Sequence, residues 1–167
     1  ADEQVFTYRV LDDIKSFDPQ INTDVDGSGV LRDLFEGLFN DDAIGDQVPG
    51  AAKGYTLSED KKTYTFTLRD AKWSNGTPVK ASDFVYAWRR LVDPATASEY
   101  AWYMELMGVT NASAVTKGEL PPEELGVTAL DDKTLQVTID QPLPYFISML
   151  THSSTFPVSQ AVVEELG

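Results

Sequence analysis

The apolar positions of this chain change period once, and that change marks its central unit. Tyr64, Phe66 and Leu68 alternate with Thr65, Thr67 and Arg69, the period-two signature of a strand with one buried face. Further on, Phe84, Val85, Trp88, Leu91 and Val92 fall at i, i+1, i+4, i+7 and i+8, a single apolar stripe on a helix. Between them Trp73 precedes Ser74-Asn75-Gly76-Thr77-Pro78. Asn-Gly accepts positive φ and the proline has no amide hydrogen to donate, so a turn is predicted there. Ser82 is placed to cap the helix, with Asp83 at the positive end of its dipole. The pattern predicts a strand, a turn and a helix that packs its stripe on the strand's apolar face. Nothing in this unit carries catalytic chemistry.

The same reasoning extends in both directions. Val5 to Val10 alternates as a strand. Val30, Leu31, Leu34, Phe35 and Leu38 form a helical stripe that opens from the loop Thr23 to Gly29, with Asp26 or Ser28 as its cap. Asn40 to Asp46 is acidic and turn-like and marks a boundary between subdomains. Tyr55 to Leu57 and the loop Ser58 to Lys62 complete a hairpin with the Tyr64 strand. Asp93-Pro94 ends the central helix, because the residue before proline is driven out of helical geometry. Thr96 or Ser98 starts a short helix running to Met107, and Asn111 to Lys117 reads as helical. A second hairpin is predicted at Val127 to Leu130 and Thr134 to Ile139, with Leu135, Val137 and Ile139 facing inward. Tyr145 to Leu150 is a short apolar helix, and Ser159 caps a last one. Hairpins mixed with short helices make an α+β chain.

Composition narrows the function classes. At 167 residues the chain is long enough for a real core. Its 27 acidic and 13 basic side chains give a formal charge of -14, which repels phosphate backbones and anionic lipid, so no nucleic-acid partner is expected. The absence of cysteine excludes a disulfide, a thiolate nucleophile and a thiolate metal site, and fits either a cytosolic protein or a bacterial envelope protein. No apolar run reaches the ~18 residues of a membrane span, and no basic-then-apolar leader stands at the start. Ala1-Asp2-Glu3 suits the end left by signal cleavage, and equally an arbitrary boundary.

Two constellations raise specific chemistry. Asn22, Asp24, Asp26, Gly27, Ser28 and Asp33 fall at positions one, three, five, six, seven and twelve of an EF-hand-like loop, the pattern of a calcium-binding adhesion or scaffold module. Against it, position one is Asn, Gly29 stands where an apolar residue belongs, and Asp33 is short for bidentate reach. His152, the sole histidine, invites a hydrolase reading, but no nucleophile elbow or orienting acid is marked around it. The expectation is therefore a structural histidine, no enzyme and no cofactor.

A longer match runs through the central unit. Thr65-Phe66-Thr67-Leu68-Arg69, Ala71-Lys72-Trp73-Ser74-Asn75-Gly76-Thr77-Pro78-Val79 and Asp83-Phe84-Val85-Tyr86-Ala87-Trp88 resemble the signature of the bacterial extracytoplasmic solute-binding proteins of the oligopeptide and dipeptide family, receptors of ABC importers. Phe17-Asp18-Pro19, Arg32-Asp33-Leu34-Phe35-Glu36-Gly37-Leu38 and Asp93-Pro94-x-Thr96-Ala97-Ser98-x-Tyr100-Ala101 resemble the same family. The resemblance covers only the amino-terminal part of a family member. It implies an α/β two-lobed periplasmic-binding-protein fold for the whole, of which residues 1–38 begin the ligand-binding lobe, 39–158 form an accessory domain and 159–167 return to the first lobe. It also implies a monomeric receptor for oligopeptides or similar solutes, acting in the periplasm or on the outer face of the cytoplasmic membrane and serving a membrane permease.

Within that resemblance, Thr23, Asp24 and Val25 match the segment whose backbone runs beside the ligand as an added strand, and Tyr100 matches a ligand-contacting tyrosine. Two departures bear on this: Thr23 stands where some relatives carry an acid, and Glu99 replaces a frequent proline. The bland alternatives are an ordinary surface loop and a helix packing its aromatic face. Because the opposing lobe lies outside these residues, the 167-residue chain alone is expected to bind peptide weakly or not at all. Titrating the fluorescence of its three tryptophans with mixed short peptides checks this, and micromolar binding would contradict it.

Overall fold

Helix α2 (Ala81–Val92) is the element against which most others pack. In the computed structural model, which describes residues 5, 7 and 9–166, its stripe of Phe84, Val85, Trp88, Leu91 and Val92 is buried as the spacing predicts. The helix lies over a four-stranded antiparallel sheet of order β3-β4-β6-β5, built from β3 (Ala52–Leu57), β4 (Thr63–Leu68), β5 (Val127–Asp131) and β6 (Thr134–Thr138). Tyr64, Phe66 and Leu68 on β4 and Leu135, Val137 and Ile139 along and just beyond β6 are all buried, so both alternations hold. Phe66 pairs with Leu135 and Tyr64 with Val137, which sets the inward faces of the two hairpins in register.

The helix does not sit where expected. It packs chiefly on β5 and β6, the far half of the sheet, rather than on β4. Aromatic rings occupy the near half instead: Phe146 meets Tyr64 at a centroid distance of 4.5 Å and Phe39 meets Phe66 at 6.4 Å. Insertion of β6 beside β4 shifts the room left for a helix toward the β5 edge.

Helix starts also differ from expectation. Ser82 is exposed inside the first turn of α2, and the N-cap is Lys80. The Asp83 carboxylate satisfies that end, accepting from Lys80 N at 2.9 Å and from Trp73 Nε1 at 3.0 Å, so one side chain closes the helix and anchors the turn before it. Within that turn Gly76 takes φ +86°, the positive value that Asn-Gly predicted. Helix α1 (Val25–Leu34) is capped by Asp24 rather than Asp26 or Ser28.

Three further features complete the frame. Asn40 to Asp46 lies within a small hairpin of β1 (Phe39–Asp41) and β2 (Gln47–Pro49). A Cβ on Gly50 would stand 2.5 Å from Gly37 O, so glycine is needed where this hairpin crosses the chain entering it. Pro94–Thr96 is a 3-10 turn, and the helix beyond it, α3 (Ala101–Leu106), starts later than predicted, with Tyr100 at its N-cap. Short helices α4 (Ala112–Thr116), α5 (Phe146–Met149) and α6 (Gln160–Leu166) fall where expected, the last with Ser159 O accepting from Val162 and Val163 N–H. The strand predicted from Val5 to Val10 includes Phe6 and Tyr8, which lie outside the described residues.

Replacing Asp83 with alanine is expected to cost about 1–3 kcal/mol, from the lost cap and the unpaired indole. Ser82→Ala is expected to stay within about 0.5 kcal/mol of the parent. Urea denaturation of the two variants checks the assignment; equal losses would return the cap to Ser82.

Candidate ligand-binding face

The segment before α1 is strapped to the scaffold by side chains, and among the described residues Thr23 is left without a backbone hydrogen bond. Arg90, at the end of α2, donates from Nη1 and Nη2 to the two Asp18 oxygens at 2.8 and 2.6 Å. Gln20, 1% exposed, donates to the carbonyls of Ser154 and Phe156 at 3.3 and 3.0 Å, and its own carbonyl accepts from Ser98 Oγ at 2.5 Å. Tyr100 N in turn donates to Ser98 Oγ at 3.2 Å. One serine hydroxyl thus joins the segment leading to Thr23 with the segment carrying Tyr100. The structure brings these two predicted regions to one edge of the molecule, without direct contact between Thr23 and Tyr100 among the hydrogen bonds and ring pairs of the described residues.

Within the predicted trio each residue stands differently. Thr23 is exposed, and its backbone makes no hydrogen bond among the described residues. Asp24 is extended at φ −97° and ψ 151°, and its side chain accepts from Gly27 N. Val25, 88% exposed, is already the first residue of α1, where helix geometry offers its N–H no acceptor. The Asp24 carbonyl is taken by Asn22 Nδ2, Ser28 N and Ser28 Oγ, so what this segment offers another backbone is the Thr23 peptide groups and the Val25 N–H.

The calcium reading is not supported by the same geometry. Asp24 is committed to its own helix, and the Asp26 carboxylate accepts from Leu11 N at 2.8 Å. Residues five to twelve of the supposed loop lie in α1, which spreads their oxygens around a cylinder instead of around an ion. Among the described residues no group of three acidic or histidine side chains is placed to hold a metal.

Tyr100 belongs to an aromatic cluster. Its ring stacks on Trp102 at 5.8 Å and lies 5.1 Å from His152, and Tyr103 stacks on that imidazole at 4.6 Å. Trp102 is half exposed, so the cluster offers a partly open aromatic wall, while the Tyr103 hydroxyl donates to Met149 O at 3.0 Å. Burial pushes the Tyr103 phenol up to about 12, although the nearby Arg32 charge opposes the shift, so the hydroxyl stays a donor. The family resemblance pointed to Tyr100, but nothing in the sequence joined it to His152, which lies on a distant loop.

His152 is structural in its hydrogen bonding. It caps the 3-10 turn Ser153–Thr155, with Nδ1 accepting from Ser154 N at 3.2 Å and lying 2.8 Å from Ser154 Oγ. Ser154 is 1% exposed, which denies that hydroxyl the access a nucleophile requires. Burial lowers the imidazole pKa below its ordinary 6.5, and the Arg32 charge lowers it further.

A family model described as bacterial extracellular solute-binding proteins, family 5 Middle, matches residues 46–165. The chain is 46% identical over 165 residues to the periplasmic murein peptide-binding protein MppA of Escherichia coli (strain K12), a match spanning 98% of this chain and 30% of that protein. It is 45% identical over 168 residues to the periplasmic oligopeptide-binding protein OppA of the same organism, spanning 100% of this chain and 31% of OppA. Among solved structures, the substrate-binding domain of an oligopeptide ABC transporter from Bacillus anthracis str. Ames superposes with a TM-score of 0.95 at 46% identity, over 100% of this chain and 32% of that one. Haemophilus influenzae OppA in complex with the peptide RPPGFSPFR superposes with a TM-score of 0.89 at 51% identity, over 91% of this chain and 30% of that one. The chain therefore spans about 30% of the length of the curated relatives it matches.

His152 generates a pH prediction. With its folded pKa depressed, the neutral ring contributes stability that is complete above the unfolded value of 6.5 and is lost as pH falls through the folded value. The charged and polar groups facing it are Arg32, Tyr100, Tyr103 and Ser154. His152→Gln is expected to flatten the decline in thermal midpoint between about pH 7 and about pH 5 relative to the parent. Parallel melting curves check it, and identical slopes would contradict the assignment.

Proposed function

The chain belongs to family 5 of the bacterial extracellular solute-binding proteins, and on that premise we propose that it forms part of a receptor that captures oligopeptides outside the cytoplasmic membrane for an ABC importer. In this reading the receptor works as a monomer in the periplasm or on the outer face of the membrane, and a membrane permease receives its cargo. Residues 1–38 start the ligand-binding lobe, 39–158 make the accessory domain and 159–167 return to the first lobe. Binding is by enclosure, with Thr23, Asp24 and Val25 pairing through their backbone and Tyr100 supplying an aromatic surface.

The observation that carries this reading is that, among the described residues, the Thr23 backbone makes no hydrogen bond and the Val25 N–H has no helical acceptor, in a segment tied to the Tyr100 region through Gln20 and Ser98. Backbone groups are common to every peptide, so an edge of this kind binds many sequences with little regard for their side chains. The relatives point the same way, since MppA and OppA carry names that describe peptide binding.

Val25→Pro tests the edge. Proline suits the first position of a helix, and Asp24 already has the extended geometry that precedes a proline, so α1 is expected to survive while one N–H donor is lost. In the full-length protein that contains this chain, the variant is expected to weaken binding of short peptides about fivefold to tenfold, with an unchanged thermal midpoint. Calorimetry makes the comparison, and unaltered affinity would overturn backbone pairing at this position.

A further inference from the structure

The face of α1 that begins at Val25 ends on a cation without a partner among the described residues. Arg32 lies seven residues beyond Val25, which brings it back to the same side of the helix about 10 Å further along. Between them Gly29 opens onto empty space, where a Cβ would meet nothing within 4 Å, so the strip is shallow enough for a chain to lie along it. An extended peptide covers about 10 Å in three residues.

Arg32 is exposed and takes part in no hydrogen bond or ion pair among the described residues, whereas Arg69 and Arg90 are each matched to a carboxylate. It lines a recess of ≈ 310 Å³ with Asn40, Asp41, Asp42, Thr151 and Phe156. Thr151, which also lines the recess, immediately precedes His152 of the aromatic cluster in the chain. One Asp42 carboxylate oxygen is engaged, accepting from Ile44 N and Asp46 N at 2.9 Å each. Asp41 is the remaining negative neighbour and lies beyond ion-pair distance.

Building on the oligopeptide reading, we propose that Arg32 is a specificity-determining residue that receives a carboxylate of the bound peptide, three residues along from the backbone pairing at Val25. A guanidinium free of internal partners keeps its donor fork available for a bidentate carboxylate, and partial enclosure strengthens such a pair over one in open water. The carboxylate comes from an acidic side chain or from the peptide's C-terminus, and the two sources are separable.

The test is calorimetry on the full-length protein with alanine tetrapeptides that carry Glu or Gln at each position in turn, with free or amidated C-termini. Preference for Glu over Gln at one position assigns the side chain, and loss of affinity on amidation assigns the terminus; about tenfold is expected for either. Arg32→Gln is expected to abolish that preference while neutral peptides still bind, Arg32→Lys to retain part of it, and Asp41→Asn to enlarge it. Equal binding of every pair by the parent protein, or an undiminished preference in Arg32→Gln, would overturn the proposal. Failure of the parent to bind any of these peptides would instead sink the oligopeptide reading, and this inference with it.

Discussion

The placement of Trp88 is the constraint on which the rest of the structure depends. Its side chain is 0% exposed and its indole Nε1 donates to Thr155 O at 2.8 Å. A buried indole left unpaired loses the hydrogen bond it had with water, so the ring demands an acceptor at one point in space. That acceptor belongs to the 3-10 turn Ser153–Thr155, which His152 caps. Because α2 is wedged between this turn and the β5–β6 half of the sheet, its packing fixes the height of the His152 loop above the sheet. His152 in turn lies against Tyr100 and Tyr103, so the aromatic wall inherits its position from a core tryptophan.

A second chain of interactions carries the same helix outward. Two residues beyond Trp88, Arg90 leaves the buried face of α2, and its guanidinium grips Asp18 in a forked, partly buried pair. Gln20 then reaches the carbonyls on either side of the turn that Trp88 also engages. The loop before α1 is thus referenced to the core at two points, both through long polar side chains that donate to fixed acceptors. Loops usually hold binding groups with less precision than helices and strands do. Here that precision is supplied from outside the loop.

Much of this frame was legible in the residues themselves. Period-two alternation at Tyr64-Phe66-Leu68 and at Leu135-Val137-Ile139, and the α2 stripe, survive unchanged because each is a local consequence of one buried face. The β1–β2 hairpin was hidden because strands of three residues are too short to display a period. Caps were misplaced where two oxygen-bearing side chains stood close together: Asp83 outreaches Ser82 because its longer carboxylate can turn back to Lys80 N. Contacts such as Gln20 with Ser154 and Tyr100 with His152 join positions far apart in the chain, and no local pattern encodes them. The residues of the candidate site were found through family resemblance at Thr23 to Val25 and Tyr100, while Arg32 was visible only as one letter of a helical motif.

The contrast between occupied and unoccupied polar groups separates scaffold from site. Asp18, Gln20, Asp24, Asp26 and Asp83 all spend their side chains on backbone groups or on a basic partner within the chain. A protein with 27 acidic side chains and 13 basic ones has acceptors to spare, so a cation left without an internal partner is the less expected arrangement. Among the described residues, what remains unclaimed is the Thr23 backbone, the Val25 N–H and the Arg32 guanidinium, in that order along the chain. A backbone edge gives affinity without sequence preference, and a charge at fixed distance from it restores a preference at a single position. Under the proposed reading, breadth and selectivity come from different groups, so each can be altered without disturbing the other.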